Sequence, residues 1–434
     1  MSVVTPAPAG WVLGVIIGLV LLGTPSSGAE PAVCGGAVPC RCGDTVSADY
    51  ALNGDLGPCP GHGLTVRSHV RLDCRGFTIA GLANGSEQFG IDLKGDRGSA
   101  ATGATIAGCR VTGFLRGIRL RGASGNTILN NVAVGNGNFT KHVGYGIDLA
   151  GGSTGNTLHG NSVRGNADEG VHIGLGSHGN RLTDNVLTDN FRENLYLLGA
   201  NDGVFLRNTV GGTGSNSLYL KDSNGNLFEG NRFVSSPARV VGDSRQNHFV
   251  GNTFAESALE FRYYHADPPR RPADNRVTGG SISGKECLRF SSSSGNVVTD
   301  TVLGACATQV RSEAPAGTAE NTLIGVPVER VVLDEGSTLH QGWRLDVHVR
   351  DAGGVPLPGA RISLSDGTAA AEALTDDKGD SPTQVVIGST RTGSRTVSKA
   401  RHTLTTTKSG YAPDVREVSV TENLKLAIAL QPAR

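Results

Sequence analysis

The side chains of this chain that could move a proton or hold a charge recur inside one small frame. His172 stands between apolar neighbours in Val171-His172-Ile173, and the same setting surrounds Asp92, Arg119, Asp148, Tyr196, Tyr219, Glu260 and Arg289. Alternation along an extended strand sends the flanking aliphatics to one face and the middle residue to the other. If successive frames stack, Arg71, Asp92, Arg119, Asp148, His172, Tyr196, Tyr219, Val240, Glu260 and Arg289 form one outward line. Aromatic faces pack on sugar rings, and an Arg fork matches a carboxylate. For β-elimination on a uronate, Arg119 would neutralise the carboxylate, His172 abstract the neighbouring proton and Tyr196 protonate the leaving oxygen. Hydrolysis needs two carboxylates, and Asp148 with Asp168 or Glu169 is the best local pair.

Two longer segments break the frame. One is Asn136–Tyr145, with Lys141 and His142; the other is Arg262–Asn275, with Tyr263, Tyr264, His265, Arg270 and Arg271. Loops on a rigid support are where binding residues concentrate, so Tyr263 and Tyr264 join Asp92, Tyr219, Glu260 and Arg289 as candidate substrate-binding residues. No metal set is evident. Calcium on Asp92 and Asp148 is compatible with the carboxylates, since hard cations take carboxylate oxygens.

The elements that would position this line are legible in a second phrase, Gly-Asn-x-(Ile/Leu/Phe)-x-x-Asn-x-apolar. It occurs at Gly125-Asn126, Gly155-Asn156, Gly179-Asn180 and Gly225-Asn226, with worn copies elsewhere, at intervals of roughly 21 to 30 residues. Each copy carries period-2 apolar runs and Gly/Asn turns, and no copy can bury its apolar face alone. Copies must therefore stack, and strands about 4.8 Å apart would build a rod of about ten rungs. Asn131, Asn161, Asn185, Asn208, Asn231 and Asn252 repeat at one position of the phrase, the spacing of a hydrogen-bonded turn ladder.

Composition agrees. Glycine numbers 63 and aromatics make 5% of 434 residues, a texture of turns rather than helices. Lys plus Arg and Asp plus Glu are both 39, so the basic footprint of a nucleic-acid binder is missing. The run Trp11–Leu22 followed by Ser27-Gly28-Ala29 reads as an export signal over residues 1–29, too short for a membrane span. Eight cysteines in an exported chain read as disulfides, and five of them, between Cys34 and Cys74, suit a stapled cap. Their connectivity is open.

With these residues in place, the chain resembles the right-handed parallel β-helix family of pectate-lyase-like fold, with repeats as in NosD-like and polysaccharide-modifying proteins. Cys42-Gly43-Asp44-Thr45-Val46 and Leu72-Asp73-Cys74-Arg75-Gly76-Phe77-Thr78-Ile79 look like the opening coil of secreted members. The Asp-Pro-His-Asp motif of mannuronan epimerases is absent. Farther on, Asp351-Ala352-Gly353-Gly354-Val355-Pro356 and Lys408-Ser409-Gly410-Tyr411 resemble a carboxypeptidase regulatory-like, immunoglobulin-type sandwich. The expected layout is all-β: a signal (1–29), a Cys-rich cap and first coil (30–75), a right-handed β-helix (76–335) and a β-sandwich (340–434). The export signal and the His172, Tyr196 and Tyr219 column point to a secreted, periplasmic or cell-surface protein whose partner is a polysaccharide or cell-surface glycan, with lyase-type or hydrolase-type chemistry on the helix face. The alternative is a non-catalytic NosD-like or adhesive scaffold.

Overall fold

The structure, a computed structural model, describes residues 32–83, 87–94, 99–366 and 370–433. The expected export signal lies outside them. Each repeat folds into three short strands, as in Thr157–His159, Ser162–Arg164 and Val171–Ile173. Copies stack in register to give three long sheets whose coil strands all pair in parallel. The first sheet has 14 strands and holds the frame around His172; the third has 11. The second has 16 and continues into the C-terminal part. The fold is a right-handed parallel β-helix.

The turn from second to third sheet explains the repeat phrase. One residue adopts the left-handed region, Asn130 (φ 53°), Gly160 (φ 64°) or Asp184 (φ 56°) among others, which Gly, Asn and Asp tolerate best. The next residue is the ladder asparagine. Asn131 Nδ2 donates to Asn161 Oδ1 at 3.0 Å and to the Ile106 carbonyl at 3.0 Å, and Asn161 repeats this toward Asn185. The expected ladder is present. Two more run beside it, through Asn126, Asn156 and Asn180 and through Asn136, Asn166 and Asn190. The ladder asparagines thus satisfy buried polar groups that water cannot reach.

Inside, columns of aliphatics and phenylalanines from all three sheets fill the bore. Phe205, Phe228 and Phe249 stack with centroids 4.5 and 4.8 Å apart. Close approach also sets glycines in the first sheet. A Cβ on Gly170 would lie 2.5 Å from Asn190 Nδ2 and 2.6 Å from the Asn194 carbonyl oxygen.

All eight cysteines pair: Cys34–Cys40, Cys42–Cys59, Cys74–Cys109 and Cys287–Cys306. The first two staple the opening coil. Cys74–Cys109 ties successive rungs, and Cys287–Cys306 does the same near the far end. Past the coil, Ser337–Asp351 pairs first with Ala319–Ile324 and then with Leu424–Leu430. One strand therefore crosses the junction expected at 335–340. Beyond it, a second core centred on Leu345, Val347, Ile362, Leu404 and Ile428 lies against a four-stranded antiparallel sheet.

Candidate functional site

Register in the first sheet aligns Asp92, Arg119, Asp148, His172, Tyr196 and Tyr219 as direct neighbours, one per rung. The line continues through Arg239, Glu260 and Arg289. Two residues expected in it stand elsewhere. Arg71 belongs to the second sheet, and Thr65 faces Asp92 instead. Val240 is buried in register with Leu220, and Arg239 takes the outward place. The inward partner before Arg239 is Ala238, whose small side chain hid the alternation.

Both ends of the line are charges bound to each other. Arg119 forks onto Asp92 at 2.8 and 2.7 Å, and its guanidinium lies 3.3 Å from the Phe89 ring centroid. Arg119, expected to meet a substrate carboxylate, is thus already occupied by one. Arg239 donates to Glu260 at 2.9 Å, Arg262 approaches the same carboxylate at 3.5 Å, and Arg289 donates to Glu313 at 2.9 Å. Asp148 is held by Arg116 at 3.0 Å and by His172 at 2.8 Å. The carboxylates of Asp92 and Asp148, expected for calcium, are thus already in contact with Arg119 and with Arg116 and His172.

The middle differs. Tyr145, His172, Tyr196 and Tyr219 form an unbroken aromatic run with centroids 4.7, 5.5 and 5.5 Å apart. Burial, with Glu169 nearby, pushes the phenols of Tyr145 and Tyr196 above the ordinary range, and burial with Glu193 nearby does so for Tyr219. These phenols stay protonated and can donate.

Next to this run lies a second outward column, beginning at the residue two before each inward aliphatic: Phe89, Arg116 and Tyr145, then Glu193 and Asn216. Glu169 occupies the rung between Tyr145 and Glu193, as the bonds Gly146 N to Glu169 O and Gly170 N to Glu193 O establish. Glu169 is 4% exposed. Burial first, then Asp168 and Glu193, raises its carboxyl to about 9. Asp168 is also shifted upward by burial, against the pull of Arg192. Sequence reading reached Asp168 and Glu169 but missed Glu193, Arg192 and Asn216. The signal was available in Glu193-Asn194-Leu195 and Asn216-Ser217-Leu218, which keep one offset from the aliphatic residue.

A cleft of about 440 Å³ joins these groups, lined by Glu169, Arg192, Glu193, Tyr196, Tyr219 and Tyr264. A neighbouring one of about 360 Å³ shares Tyr219, Arg239 and Tyr264 with it and adds Tyr263 and His265. Tyr264 lies under Lys221 Nζ at 3.6 Å, and Tyr263 Oη is 3.0 Å from His265 Nε2. The two long loops stand on opposite edges of the first sheet. Residues 136–145 lead into Tyr145–Ala150, whereas 262–275 follow Leu259–Arg262. Only the second borders the cleft. A larger cavity of about 650 Å³ beside Trp343 has Glu329 and Glu422 as its titratable lining residues.

The class this geometry defines is the parallel β-helix with an aromatic and acidic cleft on its first sheet. A family model described as "Right handed beta helix region" matches residues 90–254. Among solved structures, DFA-IIIase from Arthrobacter chlorophenolicus A6 in complex with DFA-III is 15% identical, covering 66% of this chain and 71% of that one, with a TM-score of 0.35. The periplasmic alginate epimerase AlgG is 13% identical over 66% of this chain and 67% of that one, at 0.40. The TIE protein of Bacillus anthracis is 15% identical over 21% and 18%, at 0.15. No curated protein matches the chain.

Proposed function

We propose that this is an exported protein that engages a polysaccharide along the first sheet and acts on it by lyase-type chemistry centred on His172. The observation that carries the reading is the aromatic run Tyr145–His172–Tyr196–Tyr219, with the His172–Asp148 contact set into it. Sugar rings stack on such a run. Asp148 orients the imidazole so that Nε2 faces away from it, the arrangement of a general base, and Tyr196 is the neighbouring proton donor. Arg119 is bound to Asp92, and the arginines that line the cleft, Arg192 and Arg239, are paired with Asp168 and Glu260, so an acidic sugar would share them with those carboxylates. Four disulfides support export, because such bonds persist in oxidising compartments. The C-terminal part, read as a carboxypeptidase regulatory-like sandwich, serves as a spacer.

The second reading is a non-catalytic scaffold. It draws on the self-paired charges Asp92–Arg119, Arg239–Glu260 and Arg289–Glu313, which a merely solvated sheet face would also show. Incubating the purified protein with a panel of polyuronates and neutral glycans separates the two. Lyase action gives new unsaturated ends that are lost in His172→Ala. Retained binding without new ends supports the scaffold, and no binding to any member, with no new ends, defeats the polysaccharide reading.

A further inference from the structure

We infer that Asp168, Glu169 and Glu193, with the side-chain amide of Asn216, form a binding site for a hard divalent cation of the calcium class at the edge of the first sheet. The three carboxylates each bring an oxygen to within 4.8 Å of the others, and all three residues are buried. Ligand oxygens on opposite sides of a calcium ion, each at 2.3–2.6 Å, are about 5 Å apart, so the cluster fits around one ion.

Two atoms point to a missing ligand. Glu169 Oε2 is buried and has no hydrogen-bond partner. Asn216 is 3% exposed; its Nδ2 donates to Glu193 Oε1 at 3.0 Å, while its Oδ1, an additional hard donor, bonds to nothing. An orphaned buried oxygen costs free energy, and an orphaned buried carboxylate more. The local charge is equally unbalanced. Three carboxylates against Arg192, 3.4 Å from Asp168 and 3.8 Å from Glu193, leave 3 − 1 = 2 negative charges when all are ionised. A proton on Glu169 relieves part of this, in keeping with its raised carboxyl. A divalent cation relieves all of it and also satisfies both orphaned oxygens. With no His or Cys in the cluster, the donor set is all oxygen, which suits calcium over zinc. The adjoining cleft gives water access for the remaining coordination positions.

Tyr145, Tyr196 and Tyr219 are close enough to this cluster to feel its charge, so a terbium ion bound there should be sensitised by tyrosine. The full-length protein, stripped with EDTA, is titrated with Tb³⁺ and then with Ca²⁺, and its melting temperature is compared in Ca²⁺ and in EDTA. Expected are saturable Tb³⁺ emission displaced by Ca²⁺ and a higher melting temperature in Ca²⁺. In Glu193→Gln the affinity should weaken at least about tenfold, whereas Asp92→Asn, away from the cluster, keeps it. Equal melting temperatures in Ca²⁺ and EDTA overturn the site whether or not the variants fold, as do equal affinities in wild type and Glu193→Gln. Glycan binding plays no part in either readout, so this site and the glycan reading stand or fall separately.

Discussion

His172 Nδ1 lies 2.8 Å from Asp148 Oδ1, and the two residues are direct register partners on adjacent rungs, 24 residues apart in the chain. Parallel stacking makes the contact: it sets the two strands one spacing apart, within reach of an imidazole and a carboxylate. Arg116 fixes the other carboxylate oxygen, so Asp148 is held from two sides.

If His172 is the base, its removal should cost turnover far more than binding. His172→Ala is expected to lower the rate of unsaturated-end formation by roughly 10²–10⁴-fold, with glycan affinity changed little. Initial rates and equilibrium binding on the same substrate check this, and an unchanged rate rules His172 out.

We propose that the Asp92–Arg119 fork has a structural role. Its side chains are 9% and 12% exposed, so Asp92→Ala leaves a largely buried guanidinium without its counter-charge. The expected loss is about 3 kcal/mol, seen as a lower urea midpoint, while glycan binding in the central cleft persists. A loss of binding with unchanged stability would move Arg119 back into the recognition surface.

Asn161 sits in the middle of its ladder, accepting from Asn131 and donating to Asn185. Asn161→Ala strands donors on the neighbouring rung and should destabilise the rod by on the order of 2 kcal/mol. Amide exchange should rise first at the rungs on either side. Uniform protection there, equal to wild type, would count against the ladder.

Tyr145, Tyr196 and Tyr219 all have phenols shifted upward, with burial the largest cause. A folded-state value above the unfolded one contributes stability that is complete below the unfolded value, near 10, and fades as pH rises through the folded value. An absorbance titration of the native protein should therefore leave three of the 7 tyrosines protonated above pH 10, and denaturant midpoints should fall over the same range. All seven ionising together near 10 would refute the buried placement.

What could be read without coordinates was whatever repeats. The phrase around Gly155-Asn156, the asparagine at 131, 161 and 185, and the aliphatic pairs around Asp148 and His172 are local patterns with a physical cause. A turn needs a left-handed residue, a buried turn needs a hydrogen-bonding side chain, and a strand alternates. The same patterns led to a helix of strands and to its outward line. They failed where the pattern thinned, at Ala238-Arg239-Val240, because a small inward residue carries no hydrophobic signal.

Sequence by itself thus determined the coil, its rungs and most of the residues on its first sheet. Tertiary structure decided which of them are spent on one another and which are left over. Arg119 and Asp92 look like ligand-binding groups in the chain and are bound to each other in the fold, whereas Glu193 looks ordinary and meets Asp168 and Glu169, with Asn216 bonded to it. The reason is that charge pairing and desolvation act between rungs over distances of a few ångströms, and a one-dimensional chain does not record them.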